Sequence, residues 1–299
     1  MRNLIGFKVR SVSIQHLPEL QEDIGKFQRQ DLLDKHLTEL YLQFDYDVAA
    51  ALPGVQSLFI IAIPQPVTRV RFAWRGKVYN GDVPPTYIGK PDDARVKDAL
   101  TSLVGPAGFN LVRARLPVKT LAVRSGLARY GKNNITYVPG FGSYHRLVAF
   151  ATDSPCAQDS WSELKTMKAC ESCFKCGENC PTRCIPIDRF LLHAENCLSW
   201  HNEREDSFAS WIKPDWHNAL IGCMRCQLVC PINKGQLNRI VPGPVFSEEE
   251  TAVLLQKPPL DTLPDETRRK LTEIAMDDSY EVLARNLDVL IKTQDLRCR

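Results

Sequence analysis

The stretch CESCFKCGENCP, Cys170–Pro181, places four cysteines at spacings of two, two and three residues and follows the last with a proline. A shorter version, CMRCQLVCP, returns at Cys223–Pro231. A cuboidal iron–sulfur cluster needs four thiolates converging from roughly tetrahedral directions. A C-x2-C-x2-C loop supplies three of them, because each two-residue step turns the chain round one corner of the cube. In two-cluster ferredoxins the fourth cysteine, before proline, turns away and ligates the other cluster. The first motif has this order in full, and the second has it with the first cysteine missing.

Counting ligands turns the pattern into an assignment. Cys170, Cys173 and Cys176 take Cys230 from the second motif as their fourth ligand. Cys223 and Cys226 take Cys180 from the first motif and are left one ligand short. Cys197 is the best candidate for that place. The segment Ile187–Trp200 reads as a helix in which Phe190, Leu191, Ala194, Cys197 and Leu198 share one face, so the Cys197 thiol is expected to point inward. Two 4Fe–4S clusters then close with eight cysteines. Structural zinc also uses CxxC elements, but the x2-x2-x3-Pro order fits tetrahedral zinc pairings poorly. Cys184 is expected close to a cluster without ligating it, and Cys156 and Cys298 are expected to be plain thiols.

The other residues set the frame. The chain has 299 residues, 44% hydrophobic and 24% charged, with a net charge of +3; this is ordinary for a soluble globular protein and carries no polyanion-binding signature. No apolar run approaches a membrane span, and the N-terminus lacks the apolar core of a secretory signal. Eleven cysteines without such a signal point to a reducing, cytoplasmic setting in which clustered thiols bind metal. None of the eleven lies in residues 1–155, and ten lie between Cys156 and Cys230.

That distribution suggests an α+β chain in three parts: a mixed α/β domain over 1–155, a double-cluster ferredoxin-like domain over 156–240, and a helical tail over 241–299. In the first part a helix is expected over Asp23–Ala51 and a buried strand over Ser57–Pro64. A half-exposed edge strand should begin at Val67, with Thr68, Val70 and Phe72 on one face and Arg69 and Arg71 on the other. A loop over Gly81–Pro91, helices over Asp92–Val104 and Leu121–Tyr130, and a strand over Leu147–Ala151 follow. The tail should hold helices over Asp265–Met276 and Ser279–Thr293. Arg69, Arg71, Arg75 and Lys77, interleaved with Phe72, Trp74 and Tyr79, could face RNA; a solvated strand explains them better. His193, Glu195, Asn196, Trp200, His201, Asn202, Glu203 and Arg204 could tune a cluster, but read more simply as surface and capping residues. No GxGxxG or Walker-type loop supports a nucleotide or flavin site.

Around the cysteines, LAVRSGLARYGKNN (Leu121–Asn134), PGFGSYHRLVAFATD (Pro139–Asp153), CxxCxxCxxxCPT and GCMRCQLVCPINK resemble the epoxyqueuosine reductase family and its relatives, the reductive dehalogenases. The likeness covers Leu121–Lys234, over a third of the chain. It implies a cobalamin-reductase-like N-terminal domain in which Gly131, Lys132, Asn133, Gly142 and Ser143 bind a cobalamin. The clusters would feed that cobalamin single electrons from an external donor such as ferredoxin or flavodoxin, with an epoxide on a modified tRNA base, or another small molecule, as substrate. Where the family carries an Asp, then Pro and Glu, ahead of the glycine loop, this chain has VRARLPVKTLA (Val112–Ala122) without a carboxylate. Tyr130, Tyr137 or His145 could donate a proton instead, and no catalytic residue is assigned. The helical-repeat extension of many tRNA-acting members is not expected. The competing expectations are a ferredoxin-type electron carrier serving a separate enzyme and an activator that reduces a partner's corrinoid.

Overall fold

The unbroken apolar run SLFIIAIP becomes a central strand, β2 (Ser57–Pro64), buried along almost its whole length. The computed structural model describes residues 6–297; Cys298 lies outside them. Two compact units form, and they interleave along the chain. The first takes residues up to Gln65, Lys90–Phe174 and Pro186–Ala194; the second takes Pro66–Gly89, Lys175–Ile185 and the chain from Glu195 onward. The expected α+β class holds, with the cysteine-rich segment and a long C-terminal helix.

In the first unit β2 pairs antiparallel with β1 (Lys8–Ser13) and β8 (His145–Thr152), and β8 pairs with the short β5 (Leu111–Arg113), giving the order β1-β2-β8-β5. Alternate residues of these strands feed two apolar layers, as a pleat requires. Leu58, Ile60, Ala149 and Ala151 pack with Leu20 of α1 (Leu17–Arg29) and Leu121 of α5 (Val118–Arg124). Ile61, Ile63, Val148 and Phe150 pack with Val96 and Leu100 of α4 (Lys90–Val104). Between β1 and β2 the single expected helix over Asp23–Ala51 is three: α1, α2 (Lys35–Tyr41) and α3 (Val48–Ala51). Asp31 takes a left-handed backbone (φ 52°), and Asp34 and Asp47 each accept a backbone N–H as N-caps. Short polar side chains at helix ends satisfy donors that an unbroken helix would hold internally, so each one restarts the helix.

In the second unit β3 (Val67–Trp74) turns through Arg75 and Gly76, both at positive φ, into β4 (Lys77–Val83). Such a two-residue turn matches the twist of a hairpin. The strand therefore continues to Val83, where a loop from Gly81 was expected. The predicted alternation holds, with Val70 and Phe72 buried and Arg71 exposed. β3 is not an edge, however: β9 (Ile240–Phe246) pairs with it in parallel on its other side. Arg69 is spent on a bidentate pair with Asp82 of the neighbouring strand at 2.8 and 2.9 Å, and Lys77 meets Asp295 at 2.8 Å. Beneath this sheet Phe72, Phe246, Leu254 of α9 (Glu248–Gln256), Leu271 of α10 (Asp265–Glu273) and Leu283 and Leu287 of α11 (Tyr280–Arg297) make one core. No described helix is long and apolar enough to cross a membrane.

Candidate functional site

The second unit carries two short helices of one design. In α6 (Lys175–Glu178) Cys176 is the second residue and Cys180-Pro181 follows the helix. In α8 (Arg225–Leu228) Cys226 is the second residue and Cys230-Pro231 follows. The two helices pack against each other. After each, the proline ends the helical course, and Cys180 and Cys230 bond back through their N–H groups to Gly177 and Gln227. Cys170 and Cys173 belong to the first unit, where the Cys173 N–H bonds to the Cys170 carbonyl at 3.4 Å.

Cys197 stands where a helix begins, not within one. The expected helix over Ile187–Trp200 does not form: residues 187–193 are irregular, and Cys197 is the extended N-cap of α7 (Leu198–Glu203). Arg189 is the physical reason. Its guanidinium donates to the Leu191 and Leu192 carbonyls at 2.6 and 2.9 Å, and those bonds hold the backbone out of a helical course.

The thiols of the second unit perturb one another. Cys184 is buried, with its Sγ 3.5 Å from Cys180 Sγ, and it is hydrogen-bonded to Cys197 as well. That bond from Cys184, with Thr182 Oγ1 at 3.4 Å, brings the Cys180 thiol down to about 5 against the pull of burial. The Cys184 bond likewise lowers Cys197. Cys184 itself is pushed far up by the same two sulfurs and by burial, so it remains a thiol. Cys223 rises to about 11 through burial, relieved in part by Asn218 Nδ2, which donates to its Sγ at 3.3 Å. Cys180, Cys197 and Cys223, each half-buried, are thus gathered around the buried Cys184 with donors aimed at sulfur. That is the donor set and the surrounding hydrogen bonding an iron–sulfur cluster uses. Among the described residues no three Cys, His, Asp or Glu side chains make a site for a single metal ion; a cubane attaches its ligands at four separate irons.

Several residues that hold this place have no cysteine pattern to announce them. Asn218 also accepts from the Met224 N–H at 2.9 Å, fixing the turn into α8. Asn202, expected at the surface, is fully buried and donates to the Gly222 carbonyl at 2.7 Å; Asn286 of α11 donates to Asn202 and Leu220. Tyr87 donates to Glu203 beside Cys197 and Cys223, and burial, with the Glu203 charge, raises its hydroxyl well above the ordinary range. Gly222 (φ 65°) lets it pass, since a Cβ there would lie 2.2 Å from Tyr87 Oη. Cys156, by contrast, sits in the first unit against Ser11 at 3.7 Å.

The loop residues Gly131–Asn133 and Gly142–Ser143 form a braced wall in the first unit. β6 (Arg129–Tyr130) and β7 (Thr136–Tyr137) flank the first loop. Asn133 Nδ2 donates to Tyr137 Oη at 3.1 Å, and a Cβ on Gly131 would meet Asn133 Oδ1 at 2.6 Å and Tyr137 at 2.7 Å. Gly131 and Asn133 therefore serve the loop's own packing. Lys132 is half-buried with its Nζ 5.9 Å from the Phe174 ring centre. Gly142 and Ser143 are buried, and the Gly142 carbonyl accepts from Val138 N–H at 2.9 Å. His145 ties both loops together, Nδ1 to the Gly142 carbonyl at 3.1 Å and Nε2 to Thr136 Oγ1 at 3.0 Å. The Gly131 and Gly142 N–H groups are themselves spent within these loops, on the Ile135 and Val138 carbonyls at 2.8 and 2.9 Å.

Two of the three expected proton donors are shifted away from neutral pH by burial. Burial raises Tyr130 to about 12, its hydroxyl bonded to Thr120, and Tyr137 Oη already accepts from Asn133. Burial lowers His145 to about 4 despite the Gly142 carbonyl, which favours the cation. Between pH 6.5 and 4 the unfolded chain binds a proton at this histidine and the folded chain does not, so stability falls as pH drops through that window. The contribution from pH 7 to pH 5 is about 2 kcal/mol. Urea midpoints at the two pH values, for the natural chain and His145→Gln, measure it; an unchanged slope in the variant would exclude His145 as its source.

Residues 169–233 match the 4Fe-4S double cluster binding domain. Over 118 residues the chain is 31% identical to an epoxyqueuosine reductase of Bacillus subtilis, covering 40% of this chain and 29% of that protein. Over 143 residues it is 29% identical to the Pseudomonas aeruginosa enzyme, covering 47% and 38%. The aligned stretch thus spans roughly a third of the curated relatives' length. The structure of epoxyqueuosine reductase from Streptococcus thermophilus superposes over 97% of this chain and 78% of its own, with a TM-score of 0.68 at 17% identity. An epoxyqueuosine reductase solved with an epoxyqueuosine-modified tRNA-Tyr stem loop superposes over 96% and 77%, with a TM-score of 0.67 at 19% identity. These likenesses establish the fold. The chain is thus similar to epoxyqueuosine reductases in sequence over part of its length and in fold over nearly all of it.

Proposed function

We propose that the chain is a cytoplasmic iron–sulfur reductase of the epoxyqueuosine-reductase kind, holding two 4Fe–4S clusters and a cobalamin. The observation that carries this reading is the gathering of Cys180, Cys197 and Cys223 among sulfur-directed donors, within a segment that matches a double-cluster domain. One cluster is assigned to Cys170, Cys173, Cys176 and Cys230, and the other to Cys180, Cys197, Cys223 and Cys226. Each set borrows the Cys-Pro cysteine of the other motif, so the clusters stand close enough to relay single electrons.

Gly131, Lys132, Asn133, Gly142 and Ser143 would hold the cobalamin. Gly131, Asn133 and Gly142 would act by keeping the loops in shape, and the half-buried Lys132 by contact. Bound there, a cobalamin supplies a strongly reducing centre for opening an epoxide. The chain itself supplies position, electrons and exclusion of water. A ferredoxin or flavodoxin would deliver the electrons, and an epoxide-bearing tRNA base is the substrate class proposed. The paired Arg69 of β3 and Lys77 of β4 make this hairpin a poor candidate for tRNA contact.

Metal analysis of anaerobically purified protein offered cobalamin tests the reading. About eight iron, as two cubanes require, with one cobalt per chain is the expected result. Two clusters without any corrin affinity would leave the electron-carrier reading in its place.

A further inference from the structure

Among the described residues Cys184 is the one thiol of the second unit that the ligand count does not use, yet it touches two of the sulfurs that count assigns. It is 2% exposed. Its Sγ lies 3.5 Å from Cys180 Sγ, and it bonds to Cys197. Two thiolates on different irons of one cubane carry like charge and point out from different corners, so they do not approach to hydrogen-bonding distance. The contact therefore fits a thiol beside a ligand better than a second ligand.

We propose that the Cys184 S–H donates a hydrogen bond to Cys180 Sγ and thereby raises the reduction potential of the cluster held by Cys180, Cys197, Cys223 and Cys226. The added electron of the reduced cluster spreads onto its sulfurs and makes each a stronger acceptor. A donor fixed beside one of them stabilises the reduced form more than the oxidised form. Burial strengthens the effect, because no water competes for the proton and the local dielectric is low. Thr182 Oγ1 at 3.4 Å from Cys180 Sγ and Asn218 Nδ2 at 3.3 Å from Cys223 Sγ act on the same cluster. Cys184 is a positioning residue acting through the ligand sulfur. The consequence is an ordering: this cluster accepts an electron more readily than it would with the same ligands and an apolar neighbour.

The inference rests on the two-cluster reading above. Redox titration of the anaerobically reconstituted full chain, followed by electron paramagnetic resonance, tests it. Cys184→Ala should keep about eight iron and lower the midpoint of one cluster alone. At the natural midpoint the reduced-to-oxidised ratio should fall about tenfold, which is about 59 mV for a one-electron couple. Cys184→Ser restores an O–H donor and should recover most of that shift. If the alanine cavity compromises folding, Cys184→Val fills it without a donor and should show the same fall. Unchanged midpoints with all iron retained would overturn the inference and leave the two-cluster reading standing. Loss of about half the iron from Cys184→Ala would overturn it too, by making Cys184 a ligand. A natural chain that never holds a second cluster overturns the two-cluster reading and this inference with it.

Discussion

Replacing Cys197 by alanine is expected to lower the iron content from about eight to about four per chain and to abolish the signal of one cluster. Three sulfurs leave one iron of the cubane without a protein thiolate, which makes the cluster labile, and no other described cysteine in the second unit stands unassigned except Cys184. The expectation follows from where Cys197 sits. Its extended backbone at the start of α7 frees the side chain from the helix, and its half-buried thiol lies near those of Cys180 and Cys223. Because ligands are gathered only in the folded chain, cluster loss is also loss of folding free energy, so the variant should melt well below the natural protein. Cys156→Ala is the control, since that thiol bonds to Ser11 in the first unit, and it should retain all the iron. A Cys197→Ala protein that holds both clusters intact would sink the assignment. The Cys184→Ala/Cys197→Ala double variant would then show whether Cys184 had taken the place.

The route by which the sequence led to Cys197 was only half sound. Its apolar spacing was real, since Leu198 is buried and Phe190 packs against the core of the first unit. Helical periodicity was the wrong reason for it. In a segment of seven irregular residues, apolar side chains at helical spacing can each find a separate partner, and the Arg189 bonds to two carbonyls are invisible to a count of apolar positions. The cysteine motifs were legible because cluster geometry constrains spacing directly. Asn286 and Tyr87 were not legible, because each arrives from a distant part of the chain, and Asn218 and Asn202, though near cysteines in sequence, carry no pattern that tells a buried asparagine from a surface one.

Strands show the same contrast. SLFIIAIP and the alternation after Val67 read correctly, because burial on two faces or one writes itself into consecutive residues. β9, with sequence IVPGPVF, did not, since Pro242 and Pro244 argue against a strand. Both are tolerated because β9 lies at the sheet edge and pairs on one side only, with an irregular register opposite Arg69–Arg71. Gly243 fits there because a Cβ would lie 2.8 Å from Thr68 Cγ2. Edge position is a property of the whole sheet, and no window of seven residues reports it. The missing carboxylate in Val112–Ala122 is a legible departure; the engagement of Tyr130, Tyr137 and His145 with Thr120, Asn133 and Thr136 is not, because it is made by the fold.

Asp23→Ala is expected to destabilise the first unit by about 3 to 5 kcal/mol, the cost of stranding a buried charge. Asp23 and Arg124 are 3% and 7% exposed and meet through two bonds, at 2.8 and 2.6 Å. The pair joins α1 to α5, and α5 leads directly into the glycine loop that carries Lys132. Removing the carboxylate leaves the guanidinium with Glu19 at 2.7 Å and the Ser162 carbonyl at 3.1 Å. Glu19 is half exposed and its attraction is screened, so it brings the cost toward the lower end of that range and does not cancel it. A buried pair is worth little against apolar residues of the same volume, because both charges are desolvated. The double variant Asp23→Leu/Arg124→Met should therefore recover most of the stability that Asp23→Ala loses. Chemical denaturation of the single and double variants measures both quantities. If Asp23→Ala cost less than about 1 kcal/mol, the range of an exposed ion pair, the pair would not be what holds α1 against α5.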